Sequence, residues 1–190
     1  MAAVALAVSV PVLAQSYSDS FNFLKAVKER DGAKANSLLA EPGSIVVNTR
    51  DRSSGEGAIH YVVRDRDLAW LGFLLGRGAR ADLQNSRGDT PLALAAQMGW
   101  AEGARLLLAQ RASVDLANSR GETPLILAVQ KRDLPMVRML LGKGANPKKT
   151  DNVTGKSALD YARQDTRAAA ILKLLEAAGA TPKAVAGPKL

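Results

Sequence analysis

The sequence predicts an all-α solenoid built from short helix-turn-helix units, on three observations. The chain aligns with itself at a shift of 33 residues, where Asn85-Ser-Arg-Gly-Asp-Thr-Pro-Leu92 returns as Asn118-Ser-Arg-Gly-Glu-Thr-Pro-Leu125, seven of eight positions identical. Within each copy a Thr-Pro pair stands where a helix can begin: threonine offers a side-chain acceptor to an orphan amide, and proline at the first helical position has no amide to leave unpaired. The composition completes the picture. Of 190 residues 47% are apolar but only 4% aromatic, so the core is built of thin alanine and leucine layers rather than one bulky centre.

The shift carries Leu74-Leu75 onto Leu107-Leu108 and then onto Leu140-Leu141, and Gly55 onto Gly88. Gly155 falls 34 residues after Gly121, which places a one-residue insertion near 151–154. Five units result, at 21–52, 53–85, 86–118, 119–151 and 152–180, followed by a Pro/Gly/Lys tail at 181–190. In the third unit Pro91 to Met98 makes two turns, Gly99 ends them in a left-handed conformation, and Ala101 to Gln110 gives a second helix with Leu106, Leu107 and Leu108 toward the core. Helices this short are not stable alone, so stability comes from stacking each pair on its neighbours. In three other units Arg30-Asp31, Arg66-Asp67 and Arg132-Asp133 stand between the helices. The aspartates read as N-caps, and the arginines as residues held at positive φ at a cost of about 1 kcal/mol relative to glycine. Arg111, where Gly78 and Gly144 close their helices, implies the same strain. Asp65 and Asp67 are expected to cap the turn or pair with Arg64 and Arg66.

Residues 1–14 form an apolar Ala/Val/Leu run, and polar residues 15–20 follow as a linker. The run resembles a secretory signal, with cleavage expected between Ala14 and Gln15, although no Lys or Arg precedes it. It is too short for a membrane span, which needs about 20 residues, and Pro11 argues against a buried helix. The expected location is therefore the periplasm of a bacterial type of cell, or the cytoplasm if the segment is not a signal.

The units resemble the ankyrin repeat family, whose period of about 33 residues carries Thr-Pro-Leu-His-x-Ala. The likeness is strongest at Gly88-Asp-Thr-Pro-Leu-Ala-Leu-Ala-Ala96 and Gly121-Glu-Thr-Pro-Leu-Ile-Leu-Ala128, fades to Gly57-Ala-Ile-His60 in the second unit, and leaves only a helical skeleton in the first. The resemblance implies that His60 is a buried hydrogen-bonding strut between turns. It also implies a binding module rather than an enzyme.

The residues point the same way. With no cysteine and a single histidine, disulfides, thiol nucleophiles and Cys-based zinc sites are excluded, and neither Gly-rich phosphate-binding pattern occurs. No cofactor or metal is expected. In a stacked array, recognition falls to the turn tips and the exposed stripe of each first helix. The candidates are Arg87 with Asp89 and Arg120 with Glu122 at the tips, and Arg64, Gln97, Met98, Gln130 and Lys131 on the helix stripe. Trp100, in the turn between helices, is either core filler or a contact anchor; Trp70 reads as packed. The tip pairs equally read as mutually neutralising ladders. The net charge of +8 is unevenly spread: the five units carry +2, 0, 0, +4 and +1, the tail +2, and Asp19 before the first unit −1. The expected function is a monomeric scaffold that binds a protein through the concave face of the array, with no transmembrane span and no nucleic-acid partner. The alternative is a cell-envelope accessory docking on anionic lipid or polyanion through its basic C-terminal half.

Overall fold

The computed structural model describes residues 12–40 and 45–180. Residues 1–11 of the signal-like segment and the tail at 181–190 lie outside the described residues. The chain is all-α: the described residues form ten α-helices and no extended strand, with isolated bridges pairing Arg50 with Gly57 and Thr150 with Ser157. The helices are α1 (Val12–Lys28), α2 (Gly32–Ala40), α3 (Ala58–Arg64), α4 (Leu68–Gly76), α5 (Pro91–Met98), α6 (Ala101–Ala109), α7 (Pro124–Gln130), α8 (Leu134–Gly142), α9 (Ala158–Gln164) and α10 (Ala169–Ala180). The expected linker at 15–20 lies inside α1, which runs on into the first unit without interruption.

The helices begin where capping chemistry starts them. Thr90 and Thr123 accept from the amides of Ala93 and Ile126, each with proline next in the chain. In the fifth unit Ser157 and Asp160 exchange bonds in a capping box. Asp67 and Asp133 cap α4 and α8 through the amides of Trp70 and Met136, and the Asp31 carboxylate accepts from the Lys34 amide at the start of α2. Gly99 closes α5 at φ 66°, in the left-handed region that glycine tolerates.

The helices pack in two rows. α1, α3, α5, α7 and α9 form an inner row, each against the next, and α4, α6, α8 and α10 form a parallel outer row. α2 packs on α1, and each inner helix carries its own outer partner. Leu71, Leu74, Leu107, Leu140 and Leu175 are buried between the rows, as are Ile59, Leu92, Leu125 and Ile126 of the inner helices. All of α5 from Pro91 to Ala96 and all of α7 from Pro124 to Val129 is buried. α5 and α7 therefore have no exposed stripe along their length; only the last turn of each reaches solvent.

The tips repeat as regularly as the helices. The amides of Ser86, Ser119 and Asn152 donate to the carbonyls of Ser54, Arg87 and Arg120, at 3.0, 3.0 and 2.8 Å, so each tip is bonded to the one before it. This approach explains the glycine that precedes each Thr-Pro. Gly55, Gly88 and Gly121 have φ between 67° and 77°, and a Cβ on any of them would lie 2.6 Å from the amide nitrogen of the following tip. Only glycine satisfies both conditions.

Candidate protein-interaction edge

Each tip is organised by one acceptor: Asp51, Asn85, Asn118 or Asp151. Asn85 Oδ1 takes the amides of Arg87 and Asp89, and Asn118 Oδ1 those of Arg120 and Glu122. In the second and fifth units aspartate takes this place. The Ser53 hydroxyl, with the amides of Ser54 and Ser53, holds the Asp51 carboxyl far below the ordinary carboxylate range. Burial pushes Asp151 up, but the amide and hydroxyl of Thr154 and the hydroxyl of Tyr161 outweigh it and leave that carboxyl depressed as well. The sequence reading missed all four acceptors, although an Asn three residues or an Asp four residues before the tip glycine is a visible Asx-turn signal.

His60 is fully buried. The Gly57 amide donates to its Nδ1 at 3.0 Å, so the proton sits on Nε2, which donates to the Asp89 carbonyl at 3.2 Å. Burial pushes its pKa down. It is the strut between second and third tips that the family resemblance implied.

Several expected contact residues are not on the surface. Asp89 and Glu122 are buried and turned back, to Arg87 and to Arg120 respectively, while the Asn118 amide bridges the two carboxylates. Each acid faces a desolvated tip that needs acceptors, which is why it cannot also face a partner. Trp100 is only 6% exposed, and its ring lies so close over Gly103 that a Cβ there would meet it at 2.1 Å. It fills the core. Trp70 is half-buried, edge-on to Phe73 at a centroid distance of 5.3 Å.

The arginines in the turns are also engaged, in ways their sequence neighbours did not indicate. Arg30, Arg66 and Arg132 have φ of 60°, 53° and 55°, the strain expected, but each reaches forward to the next unit. Arg30 bonds Asp65 at 2.7 Å and Asp67 at 2.8 Å and lies over the Trp70 ring. Arg66 donates to the Met98 carbonyl at 2.6 Å, and Arg132 pairs with Asp165. The expectation that Asp65 and Asp67 pair with Arg64 and Arg66 is corrected accordingly; Arg64 instead reaches Glu56 at 2.5 Å. A left-handed turn points its side chain across the unit boundary, and sequence proximity does not reveal this.

What remains accessible forms one edge. Arg87 and Arg120 keep about two-thirds of their side-chain surface exposed at the tips. At the far ends of the inner helices, Gln97, Gln130 and Lys131 are exposed and Met98 is half-buried. A geometric relation links the two levels. In the second unit the tip residue Glu56 is bonded to the helix-end residue Arg64, and in the fifth Lys156 donates to Gln164 at 2.8 Å, eight residues apart in both cases. In the third and fourth units the equivalent acids, Asp89 and Glu122, are committed to Arg87 and Arg120. Gln97 and Gln130 are left without a bond to their tips among the described residues. Beside Gln130 an open groove of about 470 Å³ runs between the ends of α7 and α9, lined by Arg132, Tyr161, Gln164 and Arg167. The sequence reading did not single out Tyr161 or Arg167.

No grouping of His, Cys, Asp and Glu suited to a metal occurs among the described residues. No described helix is long and apolar enough to cross a membrane. No curated protein matches the chain. A family model described as ankyrin repeats, in three copies, matches residues 59–151, the stretch holding His60, the third and fourth tips and the two Thr-Pro helices. Ankyrin repeats are in general protein–protein interaction modules and typically carry no catalysis. The periodic tips, the paired short helices and this match agree: residues 59–151, just under half of the chain, carry ankyrin repeats.

Proposed function

We propose that the protein is a non-catalytic scaffold that captures a protein partner along the inner-row edge of its third to fifth units, on the face the sequence reading called concave. The contacts are Gln97, Met98, Gln130 and Lys131, flanked by Arg87 and Arg120 above and by the groove at Tyr161 beside. One observation carries the reading: among the described residues Gln97 and Gln130 are the helix-end positions freed from their tips, whereas Arg64 and Gln164 are tied down within their own units. Amide side chains held on helix ends can donate and accept with little reorganisation, and the half-buried Met98 adds an adaptable apolar contact. We further propose that capture takes place in the cell envelope, on the strength of the apolar composition of residues 1–14.

Affinity capture from a cell-envelope fraction tests the site. Gln97→Glu, Gln130→Glu and Lys131→Glu together change only exposed side chains, so helicity and melting should be unchanged while the captured partner is lost. Retained capture would move the interface elsewhere. N-terminal sequencing of the protein isolated from its own cells tests the compartment: a start at Gln15 supports export, and an uncleaved chain opposes it.

A further inference from the structure

Part of the basic excess of the chain lies away from the edge just described, along the outer helices. Arg105 on α6 and Arg138 on α8 occupy the same place one repeat apart, Lys173 on α10 continues them, and Arg111 and Lys143 follow just beyond the C-terminal ends of α6 and α8. All five are exposed. None is in an ion pair among the described residues.

Apart from Glu102 on α6, the carboxylates near them are occupied. Asp133 caps α8 and Asp165 holds Arg132 at the opposite ends of the outer helices. Asp82 accepts from the amide and hydroxyl of Ser113, and Asp115 from the amide of Asn146, so both tie one unit to the next. Glu176 faces Arg163. Within α4, α6 and α8 the one acidic residue is Glu102. A free cationic field is thus concentrated on the outer row.

Its geometry favours a particular partner. Neighbouring helices pack roughly 8–10 Å apart, and Arg111 and Lys143 lie on the order of 8 Å further along the axis at 1.5 Å per residue. The charges are therefore spread over three outer helices and the turns that follow two of them rather than strung along a groove. The large exposed apolar side chains, Phe21, Ile45, Leu68 and Val153, lie on elements other than α6, α8 and α10, and the half-buried outer-row aromatics Trp70 and Phe73 already lie under Arg30 and Arg77, so no free aromatic stands beside the cations to stack on nucleic-acid bases. We propose that the outer face, through Arg105, Arg138 and Lys173 with Arg111 and Lys143, docks the protein on an anionic phospholipid bilayer, leaving the inner-row edge free for its protein partner. The attraction is electrostatic and reversible, and screened within about 8 Å at physiological salt.

Co-sedimentation of the full chain with vesicles tests this independently of the inner-row reading, since no residue is shared. Binding should be strong to phosphatidylcholine vesicles containing phosphatidylglycerol, weak to phosphatidylcholine alone, and lost as salt rises. Arg105→Glu, Arg138→Glu and Lys173→Glu together should reduce partition to the anionic vesicles by at least on the order of a hundredfold. The charge-conserving set Arg105→Lys, Arg138→Lys and Lys173→Arg should bind as the parent does, which separates loss of charge from loss of fold. Equal binding to both vesicle types would mean that apolar insertion, not this face, drives attachment. Unchanged binding of the charge-reversed variant, or binding to polyphosphate or duplex DNA without binding to anionic vesicles, would likewise overturn the proposal.

Discussion

The first two units and the middle two are joined by different means. Between the third and fourth units, α5 and α7 meet along buried Leu92, Leu94, Leu125 and Ile126, and the tips are bonded backbone to backbone. Between the first and second, the tip is missing from one side, and polar side chains add to the packing of Phe23 and Val27 of α1 beside α3. Arg30 clasps Asp65 and Asp67, Asn48 takes the Arg80 amide and donates to the Gly78 carbonyl, Arg77 reaches Asn36, and Lys28 lies 4.1 Å above the Tyr61 ring. An end unit must face water on one side and cannot repeat the family pattern there, so the interface shifts from apolar layers toward charged stitching. The middle should then respond to lost volume, and the N-terminal end to lost charge and to pH.

The largest effect expected is in the middle. Leu107 is fully buried between the rows, and Leu107→Ala should cost roughly 2–5 kcal/mol in urea or thermal unfolding, from transfer and cavity terms together. An unaltered melt would remove the leucine layer from the account of stability.

Arginines at positive φ offer a sharper contrast. Arg30 is strained but clasps the next unit, and Arg30→Gly should destabilise by about 1 kcal/mol, because two carboxylates and the Trp70 ring lose their partner while the strain is relieved. Arg111, at φ 61°, makes no ion pair among the described residues, so Arg111→Gly should stabilise by a few tenths to about 1 kcal/mol, strain relief exceeding the added unfolded-state entropy. The same substitution thus changes sign between two sites, which matched denaturant curves would reveal. Gly99→Arg is the converse and the smallest expected change. A Cβ there approaches Asp133 Oδ2 at 3.1 Å, so a forward clasp of the Arg30 type should roughly cancel the strain and leave the midpoint nearly unmoved.

The His60 strut makes the second tip pH-sensitive. Its pKa is depressed by burial below the ordinary 6.5, so the unfolded chain binds the proton more readily than the folded one. The stabilisation is complete above about 6.5 and erodes as pH falls below that value toward the folded pKa. Protonating Nδ1 also sets a donor against the Gly57 amide. His60→Gln should flatten unfolding stability over this range, measured by chemical denaturation at stepped pH. The depressed Asp51 and Asp151 act in a separate, more acidic window, losing their contribution as pH falls below about 3.8.

Much of the array was legible in sequence because its causes are local. Thr90-Pro91 sets a helix start, Gly99 an end, and the buried Leu-Leu pairs a layer, and the chemistry of each lies within a few residues. The aspartate caps and the arginines at positive φ were legible for the same reason. The binding edge was less so. Helix periodicity places Gln97, Met98, Gln130 and Lys131 on a surface, but it also made Trp100, Asp89 and Glu122 look available.

What the amino-acid order determined by itself was the unit, its period and the direction of its helices, because caps, turns and glycine conformations are short-range constraints. What the tertiary structure alone decided was which charges are already taken. Arg30 meets Asp67 across 37 residues and Asp82 meets Ser113 across 31. Such bonds form only when units stack side by side, and they leave an uncommitted inner edge on one side and an unneutralised cationic face on the other.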